Sequence, residues 1–143
     1  MTLIVDAAPL VALGDSRDRL HTAVAEVLHA EGGDLIVPAP VSAEVDYLIR
    51  RRANAAAARQ FLRDVAAGRF RVEGLTAAEH GEVARLDDQY ADLDLGLADL
   101  SVLMLAHRFR TTRLLTFDER DFRAVTPLAG GSFTLLPRDR ARH

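Results

Sequence analysis

The chain has 143 residues, of which 49% are hydrophobic and 27% charged, and its formal net charge is −3. These values indicate one soluble globular domain that buries roughly two-thirds of its unfolded surface, and they argue against a second domain. Cysteine is absent and all eighteen strongly basic residues are arginine, which excludes disulfide frameworks, thiolate catalysis, phosphate-binding P-loops and lysine Schiff-base chemistry.

The apolar segments predict neither a membrane span nor a secretion signal. The longest, Leu100 to Ala106, contains Ser101 and falls far short of the ~20 residues that a spanning helix requires. The N-terminal apolar stretch reaches Asp6 without a basic leader. We therefore expect a cytoplasmic protein without membrane contact. Because the chain is acidic overall, any nucleic-acid binding must come from local arginine patches.

The first half of the chain alternates short apolar runs with helical patterns. The runs Thr2–Val5 and Leu35–Val37, the second bounded by prolines, suit strands that are covered on both faces. Helices are predicted over Pro9 to Leu13, from Leu20 to an end near Gly32 and Gly33, from Val41 to Ile49 with Glu44 in the first turn, and over Ala53 to Ala66.

The second half continues the alternation. Arg69–Val72 predicts a half-buried edge strand, and Thr76 with Glu79 predicts a capping box at the start of a helix that ends before Asp92 to Gly96. Leu97 to Ala106 should form the most buried helix. The remaining segments are predicted as a strand over Leu114–Phe117, a turn over Asp118–Phe122, a strand over Phe133–Leu136 and a loose basic tail over Arg138–His143. The pattern predicts an α/β sandwich with a mostly parallel central sheet, a domain over residues 1–137 and a tail over 138–143.

Four acidic residues lie where a predicted strand ends or a predicted helix begins. Asp6 and Asp118 follow strands, whereas Glu44 and Asp99 lie in first helical turns. In a parallel sheet, sites form at the carboxyl ends of the strands, where the following helices also begin. Scattered carboxylates favour a hard cation such as Mg²⁺ or Mn²⁺ over zinc when cysteine is absent and the histidines show no paired spacing. The pattern therefore predicts a metal site, although the sequence leaves open whether Asp99 faces this edge.

Each acid also has a purely structural explanation. Asp99 could cap its own helix, and Glu44 could be a first-turn residue that the helix dipole stabilises. Asp118 could cap the following turn, and Asp6 could be a turn residue. Asp99 carries the most weight because its neighbours are apolar, and an ionised carboxylate there needs a partner.

Two further polar residues are candidates for the same edge. Asp121 follows Asp118 by three residues, so a helical turn would bring it to the same place. Ser101 could support a metal-bound water, but a hydroxyl in a buried helix more often bonds its own backbone.

Four segments in order resemble the PIN domain and, within it, the VapC toxins of toxin–antitoxin pairs. They are Ile4–Leu13, Val41–Val45, Leu95–Asp99 and Leu114–Phe122, and the resemblance spans nearly the whole chain. It implies a three-layer α/β/α fold in which Asp6, Glu44, Asp99 and Asp118 are catalytic and bind Mg²⁺ or Mn²⁺. It also implies an endoribonuclease that hydrolyses phosphodiester bonds of tRNA or rRNA, forms a homodimer and is neutralised by a VapB-like antitoxin.

The chain departs from this family pattern at two places. Ala7 and Ala8 follow Asp6 where many relatives have Thr or Ser, so the usual hydroxyl near the first acid is missing. Leu100 follows Asp99 where relatives often carry Ala, a change that affects packing more than chemistry.

RNA beside an acidic pocket must be held by cations, and only arginine is available. Candidates are Arg50, Arg51 and Arg52 after Glu44 and Arg120 beside Asp118, with a solvated helix face as the alternative. In the expected mechanism the cation activates a water and neutralises charge on the phosphate, while Asp99 or Asp118 orients or deprotonates that water.

Two other functions stay open at this point. The first is a catalytically inactive PIN-like module that binds RNA or protein. The second is a metal-dependent phosphatase, although the absence of lysine argues against the common aspartate-nucleophile types.

Overall fold

The structure is a computed structural model that describes residues 2–142, with side chains described as far as Arg140. Five strands form one sheet in the order β3-β2-β1-β4-β5, and every neighbouring pair is parallel. The strands are β1 (Leu3–Val5), β2 (Leu35–Pro38), β3 (Arg71–Glu73), β4 (Arg113–Leu115) and β5 (Thr134–Leu136). The predicted α/β fold with a mostly parallel sheet is confirmed.

Seven α-helices accompany the sheet within the described residues. They are α1 (Ala7–Leu13), α2 (His21–Ala30), α3 (Ala39–Arg52), α4 (Ala55–Ala66), α5 (Ala77–Gln89), α6 (Gly96–Arg108) and α7 (Glu119–Ala124). None of them is long and apolar enough to cross a membrane.

The central strands are covered on both sides. Successive residues of a strand point to opposite faces of the sheet, yet Leu3, Ile4 and Val5 are all fully buried, as are Leu114 and Leu115. Helices must therefore pack on both faces, which gives the three-layer arrangement. β3 lies at one edge of the sheet, as predicted from its alternating pattern.

Two helices, the one that follows Asp6 and the one that carries Glu44, begin earlier than the sequence pattern predicts. α1 begins at Ala7, directly after Asp6, and α3 begins at Ala39 rather than at Val41. Proline is tolerated in a first helical turn because that N–H has no intrahelical partner, so Pro40 lies inside α3. The prediction that Glu44 lies in the first turn is therefore wrong, and Glu44 lies in the second.

Local signals predicted the start of α5 and the burial of α6 correctly. The Thr76 hydroxyl accepts from the Glu79 N–H at 3.1 Å, and Glu79 accepts from the Thr76 N–H at 2.8 Å, which completes the capping box. In α6, every residue from Leu100 to Ala106 is buried.

The C-terminal part of the chain is more ordered than the sequence suggests. The segment predicted as a turn contains α7, which has Asp118 as its N-cap. Residues 138–142, which we expected to be loose, form a 3-10 helix. Its Asp139 is buried and accepts from the Leu135 N–H and the Arg123 guanidinium, both at 2.7 Å. These charge-assisted hydrogen bonds tie the segment to β5 and α7, and His143 lies outside the described residues.

Candidate metal centre

The carboxyl ends of β1 and β4 bring the first and last predicted acids to one edge of the sheet. Val5 pairs with Leu115 in the parallel register, and the Asp6 N–H donates to the Leu115 carbonyl at 2.9 Å. The chain then continues from β1 into α1 and from β4 towards α7. Asp6 and Asp118 therefore lie near each other at the carboxyl edge of the sheet.

Thr116 links these two acids through its side chain. Its hydroxyl donates to Asp6 Oδ2 at 2.8 Å and accepts from the backbone N–H of Asp118 at 3.0 Å. Asp6 is 8% exposed and Thr116 1% exposed, so the Asp6 carboxylate is held in one orientation inside the protein.

Asp118 both caps α7 and joins a carboxylate cluster. Its Oδ1 accepts from the Asp121 N–H at 3.0 Å. Carboxylate oxygens of Asp99, Asp118 and Asp121 all lie within 4.8 Å of one another. Asp121, which the sequence left as an additional candidate, therefore lies in this cluster.

Asp99 does not cap its own helix. The N-cap of α6 is Leu95 and forms no side-chain hydrogen bond. Among the described residues Asp99 accepts no hydrogen bond, so its carboxylate has only the neighbouring acids beside it. The helix-cap explanation for Asp99 does not apply.

Mutual repulsion and burial make this edge of the sheet unfavourable for bare negative charge. Burial is the largest cause that raises the pKa of Asp99 to about 7, followed by the charges of Asp6, Asp118, Asp121 and Glu44. Burial also raises the pKa of Asp6, against the opposing hydrogen bond from Thr116. The pKa of Glu44 is raised by burial and by the charge of Asp6.

Burial and a neighbouring acid also raise the pKa of Asp121. Its pKa is raised first by burial and then by its hydrogen bond and charge interaction with Asp118, while Arg120 lowers it. Within the described part of the chain, no arginine or histidine forms an ion pair with any of the five acids. Ion pairs therefore do not neutralise the charge of these five acids.

The donor set fits a hard divalent cation. Every candidate ligand atom is a carboxylate oxygen, which Mg²⁺ and Mn²⁺ prefer, and no soft ligand is present. A bound cation would supply the missing positive charge and lower the raised pKa values. Oxygens of Asp99, Asp118 and Asp121 lie close enough together to share one cation, and Asp6 and Glu44 lie close enough for their charges to raise the pKa of Asp99.

The predicted arginine patch after Glu44 lies away from the acids. Arg50 Nε bonds Asp46 Oδ2 at 3.0 Å, and Arg51 donates to the Tyr47 hydroxyl at 3.0 Å. With a rise of 1.5 Å per residue, Arg50 to Arg52 lie about 9–12 Å beyond Glu44 along α3. Arg120, by contrast, is close enough to Asp121 to lower its pKa.

The structure confirms the favoured explanation for one hydroxyl near the site and adds a second hydroxyl that the sequence did not suggest. Ser101 donates to the Ala98 carbonyl at 2.6 Å, so it bonds its own helix, as the structural alternative predicted. Thr116 was missed as a site residue. A threonine two positions before an aspartate favours a hydrogen bond from the aspartate N–H to the threonine hydroxyl. This local signal could have identified the contact of Thr116 with Asp118, but not its contact with Asp6.

Comparisons with known proteins agree with this architecture. The PIN domain family matches residues 3–126. Ribonuclease VapC26 of Mycobacterium tuberculosis is 37% identical over 135 residues, which cover 94% of this chain and all of the relative.

Two solved structures share the fold. Mycobacterium tuberculosis VapC20, described as a Sarcin-Ricin loop cleaving toxin, superposes with a TM-score of 0.76 at 19% identity, over 82% of this chain and 91% of that chain. VapBC2 from Rickettsia felis, bound to a DNA fragment from their promoter, gives a TM-score of 0.68 at 17% identity, over 94% of this chain and 98% of that one.

Proposed function

The chain belongs to the PIN-domain family, together with the VapC ribonucleases, and we propose that it is a metal-dependent endoribonuclease toxin. The observation that supports this best is the cluster of Asp99, Asp118 and Asp121 at the carboxyl ends of the strands. It offers oxygen ligands only and contains no positive charge of its own. The substrate we propose is a structured RNA, either tRNA or rRNA.

We propose that Asp99, Asp118 and Asp121, whose oxygens meet, hold the cation together with Asp6 and Glu44, and that the cation is Mg²⁺ or Mn²⁺. When bound, the cation supplies charge neutralisation at the attacked phosphate and an activated water. Mg²⁺ takes only one or two carboxylates directly and keeps several waters. Five acids are therefore enough for direct and water-mediated contacts.

The side chains of the protein have separate tasks in this reaction. Thr116 orients Asp6 by its hydroxyl, and the Asp118 backbone is held by the same group. Asp99 or Asp118 orients or deprotonates the attacking water, a role that requires a carboxylate within hydrogen-bond reach of it. Of the predicted phosphate-binding arginines, only Arg50 forms an ion pair among the described residues, whereas Arg51 bonds the Tyr47 hydroxyl and Arg52 and Arg120 have neither contact.

The partners we propose are a VapB-like antitoxin and a second copy of the chain, and the place of action is the cytoplasm. Tyr47, Leu62 and Leu97 are large apolar side chains that remain about half exposed. Contact with the apolar surface of a partner would remove their exposed area from water, which favours association.

Cleavage of a structured RNA by the purified protein tests this function. We expect cleavage with Mg²⁺ or Mn²⁺, none with EDTA, and at least a 100-fold loss in Asp99→Asn, because the cluster then lacks one charge. Asp92→Asn, an exposed acid outside the cluster, is the control and should cleave normally. Equal cleavage by Asp99→Asn would contradict the assignment of this site.

A second assay separates the enzyme from an inactive RNA-binding module. Expression of the chain alone should arrest growth, and Asp99→Asn should relieve the arrest. An inactive module would instead bind RNA equally well in both forms and would not cleave it, whichever metal is added.

A further inference from the structure

A cavity of about 490 Å³ is lined in part by Thr116, the residue that bonds Asp6 and the Asp118 N–H, and the mechanism described above does not use this cavity. Its lining includes Arg19 from the loop after α1, Phe117 and Glu119 from the segment after β4, and Arg138 from the C-terminal 3-10 helix. Three distant parts of the chain therefore meet there. Its volume falls in the range of small-ligand pockets, roughly 300–1,000 Å³.

Thr116 connects this cavity to the acids. It lines the cavity, and its hydroxyl contacts both Asp6 Oδ2 and the Asp118 N–H. Glu119, on another wall, directly follows Asp118 in the chain. A polymer that places a phosphate at the acidic cluster would therefore place a neighbouring unit at this cavity.

The two arginines of the cavity are available to bind an anion. Arg19 is exposed and forms no ion pair within the described residues, whereas its neighbour Arg17 is held by Asp15 at 3.1 Å. Arg138 Nε lies 3.8 Å from Glu119 Oε1, and these side chains are 70% and 45% exposed. An ion pair of this length and exposure is weak, so a phosphate can replace the carboxylate.

An aromatic side chain completes the cavity. Phe117 is half-buried and packs against the core on one side while it lines the cavity on the other. Unstacked RNA bases bind aromatic faces, and the flanking phosphates bind arginine. Two arginines beside an aromatic ring therefore match one nucleotide of a single strand better than a duplex.

We propose that this cavity is a subsite that holds one nucleotide of single-stranded RNA next to the cleaved bond, with Arg19 and Arg138 on the phosphates and Phe117 against the base. The inference rests on the proposed ribonuclease function and adds to it the residues that position the strand beside the acids. It also identifies which arginines offset the repulsion between RNA and the acidic cluster.

Binding of a fluorescein-labelled 12-nucleotide single-stranded RNA of mixed sequence tests the subsite. The full chain is titrated in EDTA, so that no cleavage occurs, and fluorescence anisotropy gives Kd at several salt concentrations. We expect Arg19→Ala and Arg138→Ala each to weaken binding at least threefold, and the double variant at least tenfold. The slope of log Kd against log salt should fall by about 0.7 for each arginine removed.

Two further variants separate charge from stacking and from general electrostatics. Phe117→Leu keeps the apolar contact with the core and should weaken binding without changing the salt slope, because stacking releases no counterions. Arg59→Ala, on α4 and exposed without an ion pair in the described part of the chain, is the matched control and should bind RNA as the unchanged protein does.

The outcomes also separate this inference from the proposed function. Binding by the double variant within twofold of the unchanged protein overturns the subsite, as does an equal loss in Arg59→Ala or no binding by the unchanged protein. Absence of cleavage with Mg²⁺ would contradict the ribonuclease proposal alone, because the anisotropy result in EDTA decides the subsite without catalysis.

Discussion

The hydroxyl of Thr116 donates a 2.8 Å hydrogen bond to Oδ2 of Asp6, although the two residues lie 110 positions apart in the chain. The same hydroxyl accepts from the Asp118 N–H. One buried side chain therefore sets the positions of two acids that approach the site from different strands. A hydroxyl beside Asp6 is thus present even though Ala7 and Ala8 replace the usual Thr or Ser.

Replacement of Thr116 by valine should damage both stability and activity. Thr116→Val keeps the shape but leaves Asp6 and the Asp118 N–H without this partner, so the free energy of unfolding should fall by about 1–3 kcal/mol. RNA cleavage should fall about tenfold, because a loosely held ligand costs roughly 10–100-fold in a metal site. Urea denaturation and Mg²⁺-dependent cleavage measure the two effects. Thr116→Ser retains the hydroxyl and should keep most of the stability and most of the cleavage activity. If Thr116→Val were as active as Thr116→Ser, the hydroxyl would have no role in holding Asp6.

Asp99 should make the metal-free protein less stable as the pH rises. Its folded pKa of about 7 lies above its ordinary value of 3.8, chiefly because of burial. Between these values the folded state binds more protons than the unfolded state, so its stabilising contribution is complete below about pH 4 and is lost by about pH 7. In EDTA, Tm should fall less between pH 5 and pH 8 in Asp99→Asn than in the unchanged protein. Asp92→Asn is the control, and an identical pH dependence in all three proteins would contradict the prediction.

Divalent cations should stabilise the protein more at pH 8 than at pH 5. The ligands must be deprotonated to bind metal, and metal that binds only the folded state raises Tm by mass action. Asp121→Asn should weaken the apparent Mg²⁺ affinity about tenfold, because affinity depends on the number of charged ligands. The measurement is the Tm increase as Mg²⁺ is added. Asp88→Asn on the exposed face of α5 should respond as the unchanged protein does, and a response of Asp121→Asn that matches it would remove Asp121 from the metal site.

The bond between Glu79 and Arg108 should contribute to stability at neutral pH but not in strong acid. Arg108 Nε donates to Glu79 Oε2 at 2.9 Å and its Nη2 donates to the Gly74 carbonyl at 2.6 Å. The Arg108 hydrogen bond is the largest cause that lowers the pKa of Glu79 to about 2, from 4.5. Because the folded pKa is the lower one, this contribution is present above about pH 4.5 and is lost as the pH falls towards 2.

Glu79→Gln tests this contribution directly. The free energy of unfolding at pH 7 should fall by about 1–3 kcal/mol, because the variant loses charge-assisted hydrogen bonds at a capping box. Denaturation at pH 7 and pH 3 gives the comparison. Glu82→Gln removes an exposed ion pair with Arg85 on the same helix and should change stability little. Similar losses of stability in the two variants would mean that the bond between Glu79 and Arg108 contributes no more than an exposed ion pair.

Among the arginines predicted to hold RNA, Arg120 should matter more than Arg50. Arg120 is exposed beside the acids, whereas Arg50 is already bonded to Asp46 and lies about two turns beyond Glu44 on α3. Arg120→Ala should therefore weaken RNA binding several-fold and reduce its salt dependence, while Arg50→Ala should do neither. The same anisotropy titration measures both, and a larger loss in Arg50→Ala would reverse the assignment.

Local sequence signals predicted the elements well where the physics is local. The capping box of Thr76 and Glu79 involves residues three positions apart, and the apolar run of α6 has no polar face to leave exposed. Local signals gave the wrong structure where contacts between distant residues order a segment. The segment after Pro137 looked loose because it is rich in arginine, but buried Asp139 is bonded to both Leu135 and Arg123.

The amino-acid sequence specifies the chemistry that is available. It places carboxylates after strands and at helix starts, without cysteine or lysine, and a hard cation suits such ligands. Which of these groups meet depends on the tertiary structure. The parallel pairing of β1 with β4 places Asp6 beside Thr116, and the α7 cap draws Asp121 towards Asp118 and Asp99. Such distances depend on strand register and helix packing across about a hundred residues, and local patterns in a chain do not contain that information.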